Sequence, residues 1–187
     1  SGAFGFAPDM LLSGVNIGAN TGRAVLHSGT VGAALSAATH GVRSMAVSIA
    51  SANPQHWDTT REVIDRAVSW LTETDIGDRV LNVNVPDTPL ENLRGIRSAG
   101  LASFGAVQAR VKEEGVGFVD LTYALVEPGE EPDADHHLLS RGWATWTVVR
   151  APVADHEGLE LPHVDLTGKP DSAVEISAGT VMSRLED

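Results

Sequence analysis

Three short apolar runs, each closed by turn residues, alternate with two helical stretches over residues 8–86, and this alternation constrains the fold more than any other feature. Met10, Leu11 and Leu12 read as a short buried strand that follows Pro8-Asp9. "SMAVSIAS" (44–51) reads as a second, and "RVLNVNVP" (79–86), alternating apolar and polar and stopped by Pro86, as a third. Near-continuous apolar strands of this kind belong to parallel sheets covered on both faces. Between the first two lies "TVGAALSAATH" (30–40), small and apolar enough for a close-packed helix, with Ser28 or Thr30 as cap and Gly41 as stop. Between the second and third, Val63, Ala67, Trp70 and Leu71, flanked by Ile64 and Val68, share one helical face. Thr59 and Glu62 have the spacing of a capping box at its start, and Gly77 lies past its end. Strand, helix, strand, helix, strand is the βαβ pattern of a Rossmann-like, doubly wound, mostly parallel α/β sheet.

In such a sheet, ligands bind at the carboxyl ends of the strands. "SGVNIGANTG" (13–22) sits at the first of those ends. Gly14, Gly18 and Gly22 permit positive φ and let backbone N–H groups approach a ligand. "SGT" (28–30) then opens a helix, where free N–H groups and the helix dipole favour an anion, and Ser28 and Thr30 add hydroxyls. A phosphoryl group fits this combination. The side-chain carbonyls of Asn16 and Asn20 suit a hard cation, while their amide hydrogens suit a phosphate oxygen; both residues are also ordinary in left-handed turns.

The formal charge of −12 argues against a nucleic-acid duplex as partner. No run approaches the length of a membrane span, and the opening residues carry no signal-peptide pattern. The absence of cysteine excludes disulfides, thiolate metal sites and a cysteine nucleophile, and fits a cytoplasmic location. Because the chain opens on Ser1 rather than methionine, a longer gene product is expected.

After Pro86 the texture changes. "AVQARVKEEGVGFVDLTYALV" (106–126) alternates at period two around Glu113-Glu114-Gly115, a hairpin signal. "EPGEEPDAD" (127–135) is an acidic, proline-rich loop, and "GWATWTVVRAP" (142–152) another strand. "DADHH" (133–137) has the letters of a metal cluster, but an exposed acidic loop explains it better. His27 is open to either substrate contact or packing at the loop edge. Trp143 and Trp146, three apart, face opposite sides of a strand and suit core filling or an oligomer contact rather than base stacking. The reading divides the chain into the C-terminal half of a Rossmann-like core (1–95), a hairpin extension (96–152) and a tail packing on core or partner (153–187).

"PDMLLSGVNIGANTG…VLHSGTVGAAL" resembles the signature of the SurE family, stationary-phase survival proteins that are metal-dependent nucleotidases. "MAVSIAS" and "LNVNVP" match its next two strands, and "DADHHLLSRGWATWTVV" is similar to its later segment, so the resemblance runs from Pro8 to about Val149. The resemblance implies a divalent cation, Mn²⁺ or Mg²⁺, ligated by Asn16, and a phosphate site lined by Gly18, Asn20, Ser28, Gly29 and Thr30. Asn16, Asn20, Ser28 and Thr30 are thereby the expected catalytic set. It implies hydrolysis of nucleoside monophosphates or other small phosphomonoesters, with some members also trimming polyphosphate. It further implies a homodimer or homotetramer assembled through the hairpin region.

The departures matter equally. The family's paired-aspartate "NDDG" motif, which supplies the main carboxylate ligands, and a further serine ligand have no counterpart here, and the acidic residue usual in the helix after "SGT" is Ser36. One neutral asparagine does not hold a divalent ion firmly. A strand at residues 10–15 would also leave an open apolar edge. An N-terminal segment of the same protein, or a second chain, is therefore expected to complete sheet and site. The alternative is a non-catalytic nucleotide- or phosphate-binding assembly module that has lost the aspartates. A dinucleotide oxidoreductase fits less well, because the glycines are not spaced G-x-G-x-x-G and no acidic ribose ligand ends "SMAVSIAS".

Overall fold

A computed structural model of the chain describes residues 8–103, 107–115, 118–125 and 131–152. The chain divides into two units, Ser1–Pro152 and Val153–Asp187. The tail assigned above to 153–187 lies outside the described residues, as do 127–130 of the acidic loop.

The expected α/β architecture is present. Strands β1 (Met10–Ile17), β2 (Arg43–Ala50) and β3 (Arg79–Pro86) alternate with helices α1 (Gly29–Ala38) and α2 (Trp57–Glu73). A short β4 (Ile96–Ser98), a hairpin of β5 (Val107–Gly115) and β6 (Phe118–Leu125), helix α3 (Asp135–Ser140) and β7 (Ala144–Arg150) follow. The main sheet runs β1-β2-β3-β7-β4, parallel except for the antiparallel β3–β7 pair. β4 and β7, which bracket the hairpin in sequence, are thus strands of the same sheet as β1–β3. Among the described residues no helix is long and apolar enough to cross a membrane.

Strand alternation divides the core between two faces. Met45, Val47, Leu81, Val83, Val85 and Ala144 pack with Val63, Ala67 and Leu71 of α2. Ala46, Val80 and Val149 pack with Val31, Ala34 and Ala38 of α1. The face toward α1 turns polar near the carboxyl ends of the strands. Ser48, Asn82, Asn84, Thr145 and Thr147 all lie on it, and all are buried. The apolar–polar alternation of β3 therefore does not mark a solvent face: both its sides are interior.

Three local expectations are corrected. The first strand does not end at Leu12; it runs to Ile17 and takes in Asn16, with a register irregularity between Ser13 and Asn16 where Gly14 adopts φ 126°. The capping box of α2 does not form. The helix starts earlier, at Trp57, so the Thr59 hydroxyl donates to the Thr88 carbonyl (2.7 Å) and Glu62 pairs with Arg66. Asp87, just past β3, instead accepts from the N–H groups of Gln55 (3.0 Å) and His56 (2.9 Å) ahead of that helix. The hairpin is real but turns later than Glu113–Gly115, since β5 extends through Gly115, paired with Phe118.

The two tryptophans part as strand geometry requires. Trp146 packs at 5.7 Å against Trp70 of α2, while Trp143 lies beneath the guanidinium groups of Arg94 and Arg97 at 5.0 and 5.5 Å. β1 is an edge strand, and Leu12 and Ile17 are 50% and 57% exposed along it.

Candidate functional site

The β1–α1 connection crosses the carboxyl ends of β1, β2 and β3. Cross-strand register places Asn16 beside Ser48, and Ser48 beside Asn84, in one row. Asn16 itself is half-buried; its side-chain amide donates to the Gly18 carbonyl at 2.6 Å, and its own carbonyl oxygen has no hydrogen-bond partner among the described residues. Gly18 donates to the Ile49 carbonyl (2.9 Å) with φ 99°, so it is backbone conformation rather than crowding that calls for glycine there.

Asn20 is 7% exposed and anchored on every side. Its N–H donates to Asn84 Oδ1 (2.7 Å), and its side-chain amide donates to Ser48 Oγ (2.8 Å). Its carbonyl accepts from the amides of Asn82 (2.9 Å) and Asn84 (3.0 Å). The neighbouring Gly22 N–H donates to Asp135 Oδ2 at 2.9 Å. The loop is thus held over the sheet by buried amide and carboxylate groups, an arrangement in which each lost partner strands a polar atom out of water.

A 3-10 turn, Gly22–His27, carries the chain to α1 and leaves His27 exposed at its end. Ser28 is the N-cap of α1: its hydroxyl accepts from the Val31 N–H at 3.1 Å. Gly29 and Thr30 follow as the first helical residues, and their N–H groups donate to nothing among the described residues. Two free donors, aligned with the positive end of a ten-residue helix, attract an anion.

The sequence-expected residues therefore occupy distinct situations. Asn16 and Gly18 lie at the strand ends, Asn20 is buried in the loop clamp, and Ser28, Gly29 and Thr30 form the helix start. The clamp's other members, Ser48, Asn82, Asn84 and Asp135, were not singled out from sequence. The signal was there for the asparagines: two amides at alternate positions of a strand otherwise built for a two-sided core. For "DADHH" the expectation of an exposed acidic loop holds for Asp133 but fails for Asp135, which is fully buried. Burial pushes its carboxyl above the ordinary range, against the pull of three backbone N–H donors from Gly22, Ala102 and His136.

A second carboxylate sits just past β3. Asp87 Oδ1 meets His56 Nδ1 at 3.0 Å. Partial burial pushes the Asp87 carboxyl up, but bonds from the Gln55 and His56 N–H groups, the His56 ring and the Ser51 hydroxyl outweigh it and hold the pKa at about 2. Among the described residues no three His, Asp or Glu side chains gather where they could hold a metal ion. Asn16 offers one neutral oxygen, so these residues do not by themselves fit a divalent cation.

An open, mostly parallel α/β sheet, with a clamped glycine–asparagine loop across its strand ends and a helix N-terminus free to take an anion, defines the class: an α/β protein with the apparatus of a small-anion site. The family model described as survival protein SurE matches residues 2–107. The 5'-nucleotidase SurE of Vibrio cholerae is 37% identical over 160 residues, which cover 81% of this chain and 62% of that protein. The 5'-nucleotidase SurE of Nitrosococcus oceani is 35% identical over 158 residues, covering 82% and 62%. The crystal structure of the SurE protein from Aquifex aeolicus superposes with a TM-score of 0.68 at 26% identity, covering 82% of this chain and 64% of that one. The chain belongs to the SurE family. It spans about three fifths of the length of the curated relatives it matches.

Proposed function

We propose that this chain supplies the phosphate-facing part of a metal-dependent phosphomonoesterase acting on nucleoside monophosphates, as a 5'- or 3'-nucleotidase. The observation that carries the reading is the pairing of a rigidly clamped loop with the N–H groups of Gly29 and Thr30 at the start of α1, which have no partner among the described residues. Donors fixed before the ligand arrives stabilise charge on phosphoryl oxygens without reorganising. Gly29 and Thr30 N–H groups and the Ser28 and Thr30 hydroxyls hold the phosphate, with Gly18 and Asn20 shaping the loop beside it. Asn16 would offer its carbonyl oxygen to a Mn²⁺ or Mg²⁺ ion, whose carboxylate ligands would have to come from outside the described residues. Such an ion would supply water activation and charge neutralisation. The same phosphate site admits the terminal phosphate of a polyphosphate chain, and assembly as a homodimer or homotetramer through the β5–β6 hairpin belongs to this reading. The names of the relatives, 5'-nucleotidase SurE, support the substrate class.

One observation favours a second reading, a phosphate-binding assembly module without catalysis: no carboxylate cluster is found among the described residues. Phosphatase assays of the intact protein on nucleoside monophosphates, with and without chelator, separate the two. Chelator-sensitive hydrolysis, cut at least about 100-fold by Asn16→Ala, is expected of the enzyme. Phosphate binding without turnover supports the module, and neither binding nor turnover refutes both.

A further inference from the structure

Asp135 stands apart from the residues proposed to meet phosphate, yet it ties their loop to a distant part of the chain. Its Oδ2 accepts from the Gly22 N–H at 2.9 Å, two residues past Asn20. Its Oδ1 accepts from the N–H groups of Ala102 (3.0 Å) and His136 (2.7 Å). Ala102 precedes the β5–β6 hairpin and Asp135 follows it. The two flanks are further stitched together by Gly100: its N–H donates to the Asp133 carbonyl (3.1 Å) and its carbonyl accepts from the Asp135 N–H (2.8 Å). One fully buried carboxylate thus joins the loop over the sheet to both chain segments at the base of the hairpin.

We propose that Asp135 is a positioning residue that sets the β1–α1 loop from the base of the hairpin, so that loop and hairpin flanks open and close as one unit. The chemistry selects aspartate. Three N–H donors converge on the side chain, and only an ionised carboxylate has acceptors alone to offer them. The unequal division of the bonds makes the proposal testable. An asparagine in this place keeps one acceptor oxygen and gains one NH₂ donor. It keeps two bonds if its oxygen faces Ala102 and His136, but only one if its oxygen faces Gly22. Asp135→Asn therefore turns its NH₂ toward the Gly22 N–H and releases the loop while the hairpin base stays fixed.

The ligand side of the test rests on the phosphate reading above; the structural side does not. Amide hydrogen exchange on the intact protein is the first measurement. In the natural protein the Gly22 and Ala102 amides share one opening, with protection factors within about tenfold of each other. A larger difference overturns the coupling, whether or not any variant folds. In Asp135→Asn, Gly22 exchange accelerates at least about tenfold while Ala102 and His136 keep their protection. Equal acceleration of all three, with a lowered thermal midpoint, describes a merely structural residue and also overturns it. Binding of inorganic phosphate is the second measurement: Asp135→Asn weakens it about tenfold, against an unaltered constant if the loop does not depend on Asp135. If the natural protein binds no phosphate, the phosphate reading fails and the exchange measurements alone decide the coupling.

Discussion

Asn82 and Asn84 are two residues apart on β3, equally buried, and bonded to the same loop residue, yet their removal has different consequences. Asn84 accepts from the Asn20 N–H and donates to the Asn20 carbonyl, whereas Asn82 only donates to that carbonyl. Asn84→Ala leaves the Asn20 N–H without an acceptor in the interior, at a cost of about 1–3 kcal/mol. Asn82→Ala leaves no such orphan, because the Asn84 amide still serves the Asn20 carbonyl at 3.0 Å. It also removes Asn82 Oδ1, a buried oxygen with no hydrogen-bond partner among the described residues, and so relieves a desolvation cost. The cavity left by truncation is similar for both, so the difference isolates the orphaned donor. Asn84→Ala is expected to be less stable than Asn82→Ala by about 2 kcal/mol. Urea unfolding followed by the fluorescence of the four tryptophans, extrapolated linearly to water, measures it. Equal destabilisation, or a reversed order, would refute the assignment of Asn84 as the acceptor that holds the loop.

Gly14→Ala places a methyl group against the Val47 carbonyl oxygen at a φ of 126°, so a loss of at least about 2 kcal/mol is expected in the same unfolding assay; a neutral effect would mean that β1 does not bulge toward β2 there. The Asp87 carboxyl sits at about 2 in the folded chain against an ordinary 3.8. The unfolded chain therefore binds more protons between those values, and stability rises with pH across them. The contribution is whole above roughly pH 4 and is lost as pH falls through about 2; after solvent screening it is on the order of 1 kcal/mol. Asp87→Asn should flatten that part of the stability–pH curve relative to the natural protein, and parallel curves would argue against the bonds from Gln55 and His56.

The periodic features were legible in the sequence because they are local. Apolar runs of strand length, the helical spacing of Val63, Ala67 and Leu71, and the glycine–asparagine loop ahead of "SGT" each follow from neighbours within a few positions. Those neighbours decide backbone propensity, capping and amphipathic face. They sufficed for the α/β class, for the second and third strands to within a residue, and for placing the loop at the strand ends. Ser28 as N-cap of α1 was readable in the same way.

What tertiary structure decided is which polar groups became interior. Nothing adjacent to Asn82, Asn84 or Asp135 says that each faces a loop residue 62, 64 or 113 positions away. The anchoring by Asp87 of the segment just ahead of α2, across 31 positions from His56, is hidden for the same reason. Sequence alone determined the elements and the chemistry on offer at the loop. The fold decided which buried donors and acceptors meet, because a hydrogen bond out of water is set by partners that only the packed sheet brings within 3 Å.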